Sequence, residues 1–166
     1  MKIYAGRRLN KLTAILILFA AVSITQACEP GRELAKNTAR AAGAISSGLA
    51  LVDQQTTSGQ MSRETGLRIL AALEASNKIN GQLTDEAKKY VSADGKRLEL
   101  TGDGKLKLLQ IGASGQGVIT ALLNDPAFTS LPSERRAAYV AFAQTINNSF
   151  SAIVQLVAAI KPQGVK

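Results

Sequence analysis

"SERRAAYVAFAQTINNSFSAIVQLVAAIKP", residues 133–162, decides the fold. Within it Tyr139, Phe142, Ile146, Phe150, Ile153, Val157 and Ile160 follow one another at steps of 3, 4, 4, 3, 4 and 3. An α-helix turns once every ~3.6 residues, so this spacing lays all seven side chains along one face. Ser133 stands where the first free amides want a side-chain acceptor, and Pro162 cannot continue a helix. At ~1.5 Å per residue the segment reads as a helix of roughly 42 Å. Asn148 and Gln155 fall off the stripe, which marks it as a core-facing stripe rather than a ligand box. A helix with one apolar face must bury it against other elements, and the rest of the chain offers mainly helices to do so.

Immediately upstream, "NDPAFTSLPSE" (124–134) is a connection punctuated by Pro126 and Pro132. Before it the reading forks. "RLEL" and "KLKL" alternate around "TGDG" (101–104), which suits a hairpin. The competing helix starts at Asp103 and runs to about Asn124, with Leu108, Ile111, Gly115, Val118 and Leu122 on one face. The helix is preferred, because an isolated two-stranded hairpin is marginal and no third strand is available to it. "LKLLQIGASGQGVITALL" (106–123) also loosely resembles the strand–glycine loop–helix of Rossmann-type nucleotide-binding proteins, through Gly112, Gly115 and Gly117. That resemblance implies a parallel sheet built from several further βαβ units, which this chain does not supply. The alternative for the glycines is a kink or a close helix–helix contact.

Further upstream, Ser62 is placed to cap a helix carrying Leu67, Ile69, Leu70 and Leu73 and ending by Gly81. "LTDEAKKYV" (83–91) reads as a separate short helix capped by Thr84, with Asp85 and Glu86 at its positive end. Two Asp-Gly turns follow within 92–105. Residues 32–52 read as a helix through Leu34, Thr38, Ala41, Ile45, Leu49 and Val52, and "DQQTTSGQ" (53–60) as a polar loop. The expected fold class is therefore all-α, a small bundle of three to five helices over residues 32–166.

The N-terminus has a different character. Lys2, Arg7, Arg8 and Lys11 precede the uncharged run Leu12 to Val22, a basic region followed by a short apolar core. This is the layout of a secretory signal, here residues 1–27, and it falls short of the ~18–20 apolar residues of a membrane span. An uncleaved anchor is the alternative. The only cysteine of the chain, Cys28, follows Thr25, Gln26 and Ala27. The stretch resembles the lipobox of bacterial lipoproteins, in which a small residue precedes a cysteine that is acylated and becomes the new N-terminus. Ala27 and Cys28 fit that pattern, whereas Thr25 replaces the usual leucine and Gln26 a usual small residue. The resemblance implies lipid attachment at Cys28 and a tether over residues 28–31. The alternative is a free thiol or an intermolecular disulfide, since a lone cysteine has no partner within the chain.

Composition narrows the function. The formal charge of +8 overstates the exported body, which would carry +4, because four of the 20 basic residues and none of the 12 acids lie before Cys28. That weakens a nucleic-acid reading, and none is expected. The chain has no His and no Trp, which excludes His-based acid–base schemes, His-type metal sites and Ser-His-Asp systems. No metal, cofactor or enzymatic activity is expected. The densest cations are Lys88, Lys89, Lys96, Arg97, Lys105 and Lys107, interleaved with Asp94, Glu99 and Asp103. They form a solvated face or, less simply, an anion-contact patch. The expectation is a non-catalytic exported protein, held on a membrane through lipid on Cys28, facing the periplasm or cell exterior. Its partner would be an envelope protein or polymer, bound or scaffolded. The alternative is a soluble periplasmic or secreted helical module that binds an anionic ligand.

Overall fold

The stripe of the last helix is buried as its spacing requires. Ile146, Phe150, Ile153 and Val157 are fully enclosed and Tyr139 nearly so, while Phe142 and Ile160 at its margins are only partly covered. A computed structural model describes residues 29–163. In it α1 (Pro30–Thr57), α2 (Arg63–Lys88), α3 (Gly102–Leu123), the single turn α4 (Pro126–Thr129) and α5 (Ser133–Ala159) follow in order. The fold is all-α, a small helical bundle, and among the described residues the only β pairing is one isolated bridge, Val91 to Leu98.

The four long helices close a ring in which α1 packs on α2, α2 on α3, α3 on α5, and α5 back on α1. Every neighbour runs antiparallel. Asn80, late in α2, donates its side-chain amide to the carbonyl of Thr38, early in α1, at 3.1 Å. Tyr139, early in α5, donates to Gln55 Oε1, late in α1, at 3.2 Å. Lys105 at the start of α3 donates to the carbonyls of Ala158 and Ile160 at the end of α5, at 2.6 and 2.7 Å. The result is an up-down-up-down four-helix bundle. One end gathers the start of α1, the end of α2, the 89–101 connection, the start of α3 and the end of α5. The chain enters at that end, two residues after Cys28.

Helix boundaries differ from the sequence reading in instructive ways. α1 begins at Pro30, where a proline at the first position sacrifices no needed amide, and continues through the expected loop to Thr57. It continues because Gln55 is buried and holds Tyr139, so the polar run still presents an inward residue. It stops at Ser58 and Gly59, the latter at φ +71°. Ser62 does cap α2, accepting from the amide of Thr65 at 3.1 Å. The helix then runs past Gly81 without a break. Ile69, Leu73, Ser76, Asn80, Leu83 and Ala87 form a continuous inward stripe, and Gly81 lies on the outer face. Thr84 is therefore no cap; its hydroxyl donates to the carbonyl of Asn80 in mid-helix at 2.8 Å. Leu67, read as apolar face, is 54% exposed. At α5 the N-cap position is Pro132, with no side-chain cap, and Ser133 is the first helical residue.

The fork resolves to helix over Gly102–Leu123, while residues 97–101 stay outside it. Thr101, not Asp103, caps α3, accepting from the amide of Gly104 at 3.1 Å. The Rossmann-like reading fails, because the whole of 106–123 is helical. Gly112 and Gly115 face α5 instead: a Cβ at Gly112 would come within 2.6 Å of Val154, and one at Gly115 within 2.7 Å of the Phe150 ring. Gly117 points to open space. By length and composition alone, α3 is also the one described helix apolar enough to cross a membrane. In the bundle, its Leu108 and Ile119 are buried between α2 and α5.

Candidate functional site

The end of the bundle at which the chain enters concentrates the residues singled out by the sequence. Cys28 itself lies outside the described residues. Pro30 starts α1 directly after Glu29, so only one residue separates Cys28 from the helix. Of the expected 28–31 tether, Pro30 and Gly31 already belong to the helix. The amide of Gly31 donates to the carbonyl of Lys96 at 2.9 Å, which satisfies a free N-terminal amide with the 92–97 turn. A Cβ at Gly31 would sit 2.5 Å from the carbonyl oxygen of Gly95. Glycine is what lets this turn close over the helix start.

The turn is built by its own polar side chains. Asp94 accepts from the Ser92 hydroxyl at 2.6 Å and from the Lys96 amide at 3.0 Å, and Gly95 takes φ +73°. The hydrogen bond from Ser92, then that from Lys96, holds the Asp94 carboxyl below its ordinary pKa. Leu98 and Leu100 leave the turn and plug the end of the core. The amide of Gln163 donates to the carbonyl of Leu100 at 2.8 Å, fastening the tail of the chain to the same plug.

The six cations expected to form an anion-contact patch are gathered at this end, but they do not converge. Lys88 pairs with Asp85 at 3.1 Å, Lys89 with Glu86 at 2.6 Å, Lys96 with Glu29 at 3.8 Å, and Arg97 with Glu99 at 3.7 Å. The hydrogen bond from Lys89 lowers the Glu86 pKa, and the same bond raises that of Lys89. Lys105 is committed to the last carbonyls of α5, where a cation offsets the negative helix end. Among the described residues Lys107 alone of the six makes neither an ion pair nor a bond to a carbonyl. The surface is one of local ion pairs screened by solvent, none of which holds the fold by itself.

What sequence reasoning missed is a groove. Between the first two turns of α1 and the last turn of α2 lies an open cleft of about 330 Å³. Leu34, Thr38 and Ala87 are buried beneath it, Ala35 and Lys88 are exposed on its rims, and Val91 and Gly95 close its outer end. A smaller cleft of about 150 Å³ lies at the far end, beside Val52, Asp53, Thr56, Arg63 and the exposed Leu67. The signal for the large groove was present as facing small residues, but it needs the α1–α2 register, which the interrupted reading of α2 concealed. Among the described residues no three His, Cys, Asp or Glu side chains gather as metal ligands would.

No family model, curated protein or solved structure matches the chain. The functional argument therefore rests on the chain's own residues.

Proposed function

We propose that this is an exported, non-catalytic envelope protein, anchored to a membrane by lipid on Cys28, whose helical body binds or scaffolds another macromolecule. The observation that carries this reading is the position of the single cysteine. It follows a basic segment, an apolar run and Ala27, and comes two residues before the bundle starts at Pro30. A bundle that begins so soon after its anchor would be held close to the membrane, with its chain-entry end toward the lipid and the α4 end outward. Diacyl modification supports stable anchoring where a single chain would be marginal. The self-paired charges of the entry end suit an interfacial surface that neither strongly attracts nor repels anionic lipid.

The test is fractionation of cells that produce the native chain or Cys28→Ser. The native protein is expected in the membrane pellet. The variant, once its signal is removed, is expected in the soluble fraction with unchanged helical circular dichroism. A variant that remains in the pellet after signal removal would refute the lipid anchor. A native protein recovered as a soluble chain with an unmodified N-terminus would instead favour the soluble binding module. Capture under native conditions then identifies the partner.

A further inference from the structure

Resting on the reading of Cys28 as acylated, we infer that the groove between α1 and α2 is the seat of one acyl chain of that anchor while the protein is out of the bilayer. The first argument is position. Twenty-eight residues precede the described chain, and the last of them, Cys28, is three residues from Gly31 on the groove wall. Three residues span at most ~11 Å, so a chain attached at Cys28 starts within that reach of the groove wall at Gly31.

The second argument is shape. Midway along the α1–α2 seam a small residue receives a large one, as Gly48 receives Leu73, whose methyl would lie 3.1 Å from a Cβ placed there. At the entry end small faces small, with Ala35 and Thr38 opposite Thr84 and Ala87, and the two helices leave a space that neither fills. At about 330 Å³ it lies at the low end of the ~300–1,000 Å³ of small-molecule pockets, room for part of one chain and not for two.

The third argument is chemistry. The hydroxyl protons that could serve a polar ligand are already used within the helices. Thr38 donates to the carbonyl of Ala35 at 2.9 Å and Thr84 to that of Asn80 at 2.8 Å. On the rim, Lys88 is paired with Asp85 at 3.1 Å. What remains facing the groove is mostly methyl and methylene, with the buried Leu34 and Ala87 as its floor. A polar ligand or a peptide backbone would lose hydrogen bonds there, whereas hydrocarbon would lose none.

The experiment begins with the native full-length protein and the groove-filling variants Ala35→Trp and Thr84→Leu, each purified in mild detergent. Mass spectrometry first establishes whether Cys28 carries acyl mass; its absence would defeat the anchor itself and the proposal with it. Circular dichroism in detergent then establishes which variants retain the native helix content, and either one suffices. Detergent is removed and the monomer fraction is read by gel filtration. The native protein is expected to stay largely monomeric, and the filled variants to fall about tenfold into micelle-sized assemblies as the displaced chains seek one another. Acylated, folded variants that remain as monomeric as the native protein would overturn the proposal. So would a native protein that assembles just as readily, or a native dimer that groove filling disrupts, which would make a second copy the occupant.

Discussion

Two seams of this bundle are built on small residues, and they come out differently. Where α3 meets α5, Gly112 and Gly115 receive Val154 and Phe150, so each missing side chain on one helix is filled by a large one on the other. Where α1 meets α2 at the entry end, Ala35 and Thr38 face Thr84 and Ala87, and a groove remains. The first arrangement brings backbones close and gains dispersion contacts along a largely buried row. The second leaves apolar surface facing water. Small residues do not by themselves say whether a seam is a joint or a site; the residue opposite decides.

The largest effect should come from emptying the filled seam. Phe150 is fully buried against Gly115, and truncating a buried Phe typically costs ~3–5 kcal/mol of a total stability of ~5–15. Phe150→Ala should therefore lower the melting temperature sharply, as followed by circular dichroism. Asn148→Ala and Gln155→Ala, on the exposed side of the same helix, should each stay within ~0.5 kcal/mol. If Phe150→Ala left stability unchanged, the first seam would not be the joint described here.

A subtler contrast lies within α3. Alanine is ordinarily a better helix former than glycine by ~1 kcal/mol. At Gly117, which faces open space, Gly117→Ala should raise stability by up to about that amount. At Gly115 the new methyl meets the Phe150 ring, and Gly115→Ala should instead cost about 1–3 kcal/mol. Denaturant midpoints for the pair test this directly. The same sign at both positions would mean that α3 and α5 do not approach as closely as described.

The smallest effect concerns the polar bond inside the apolar core. Burial raises the Tyr139 phenol to a pKa of about 12, above the ~10 of an unfolded chain. Because the folded value is the higher one, the neutral phenol's contribution is complete below pH ~10 and is lost as pH rises toward 12. Tyr139→Phe removes the bond to Gln55 and should cost about 1 kcal/mol at neutral pH. It should also flatten the part of the alkaline stability loss that exceeds its own. A variant whose alkaline profile matched the native one would show that this phenol does not titrate in the core.

The last helix was legible because its apolar residues are large and regularly spaced, so position alone identified the face. The N-cap of α2 at Ser62 followed from equally local chemistry, and the helical choice for α3 from the lack of a third strand to support a hairpin. The continuity of α2 was hidden by Ser76 and Asn80, buried polar residues that interrupt the apolar pattern at its centre. Ser76 donates to the carbonyl of Ala72 within its own helix, and Asn80 donates its amide to the carbonyl of Thr38 across the seam. The second bond exists only once the helices are packed, so a reading of hydropathy sees a break where the structure has a stripe. Gly81 reinforced the error: an exposed glycine in mid-helix carries the same letter as a C-terminal stop. The charged patch was legible as composition but not as pairing. Lys88 and Lys89 pair one turn back along α2, whereas the pairing of Lys96 with Glu29 depends on the 92–97 turn and the bonds of Lys105 on where the ends of α3 and α5 meet.

The account turns on Cys28 and on the groove beside it, and the most direct measurement is the intact mass of the mature protein together with its N-terminal fragment. A chain that begins at Cys28 and carries the added mass of acyl groups is the predicted result. A chain that begins elsewhere, or at an unmodified Cys28, would contradict it.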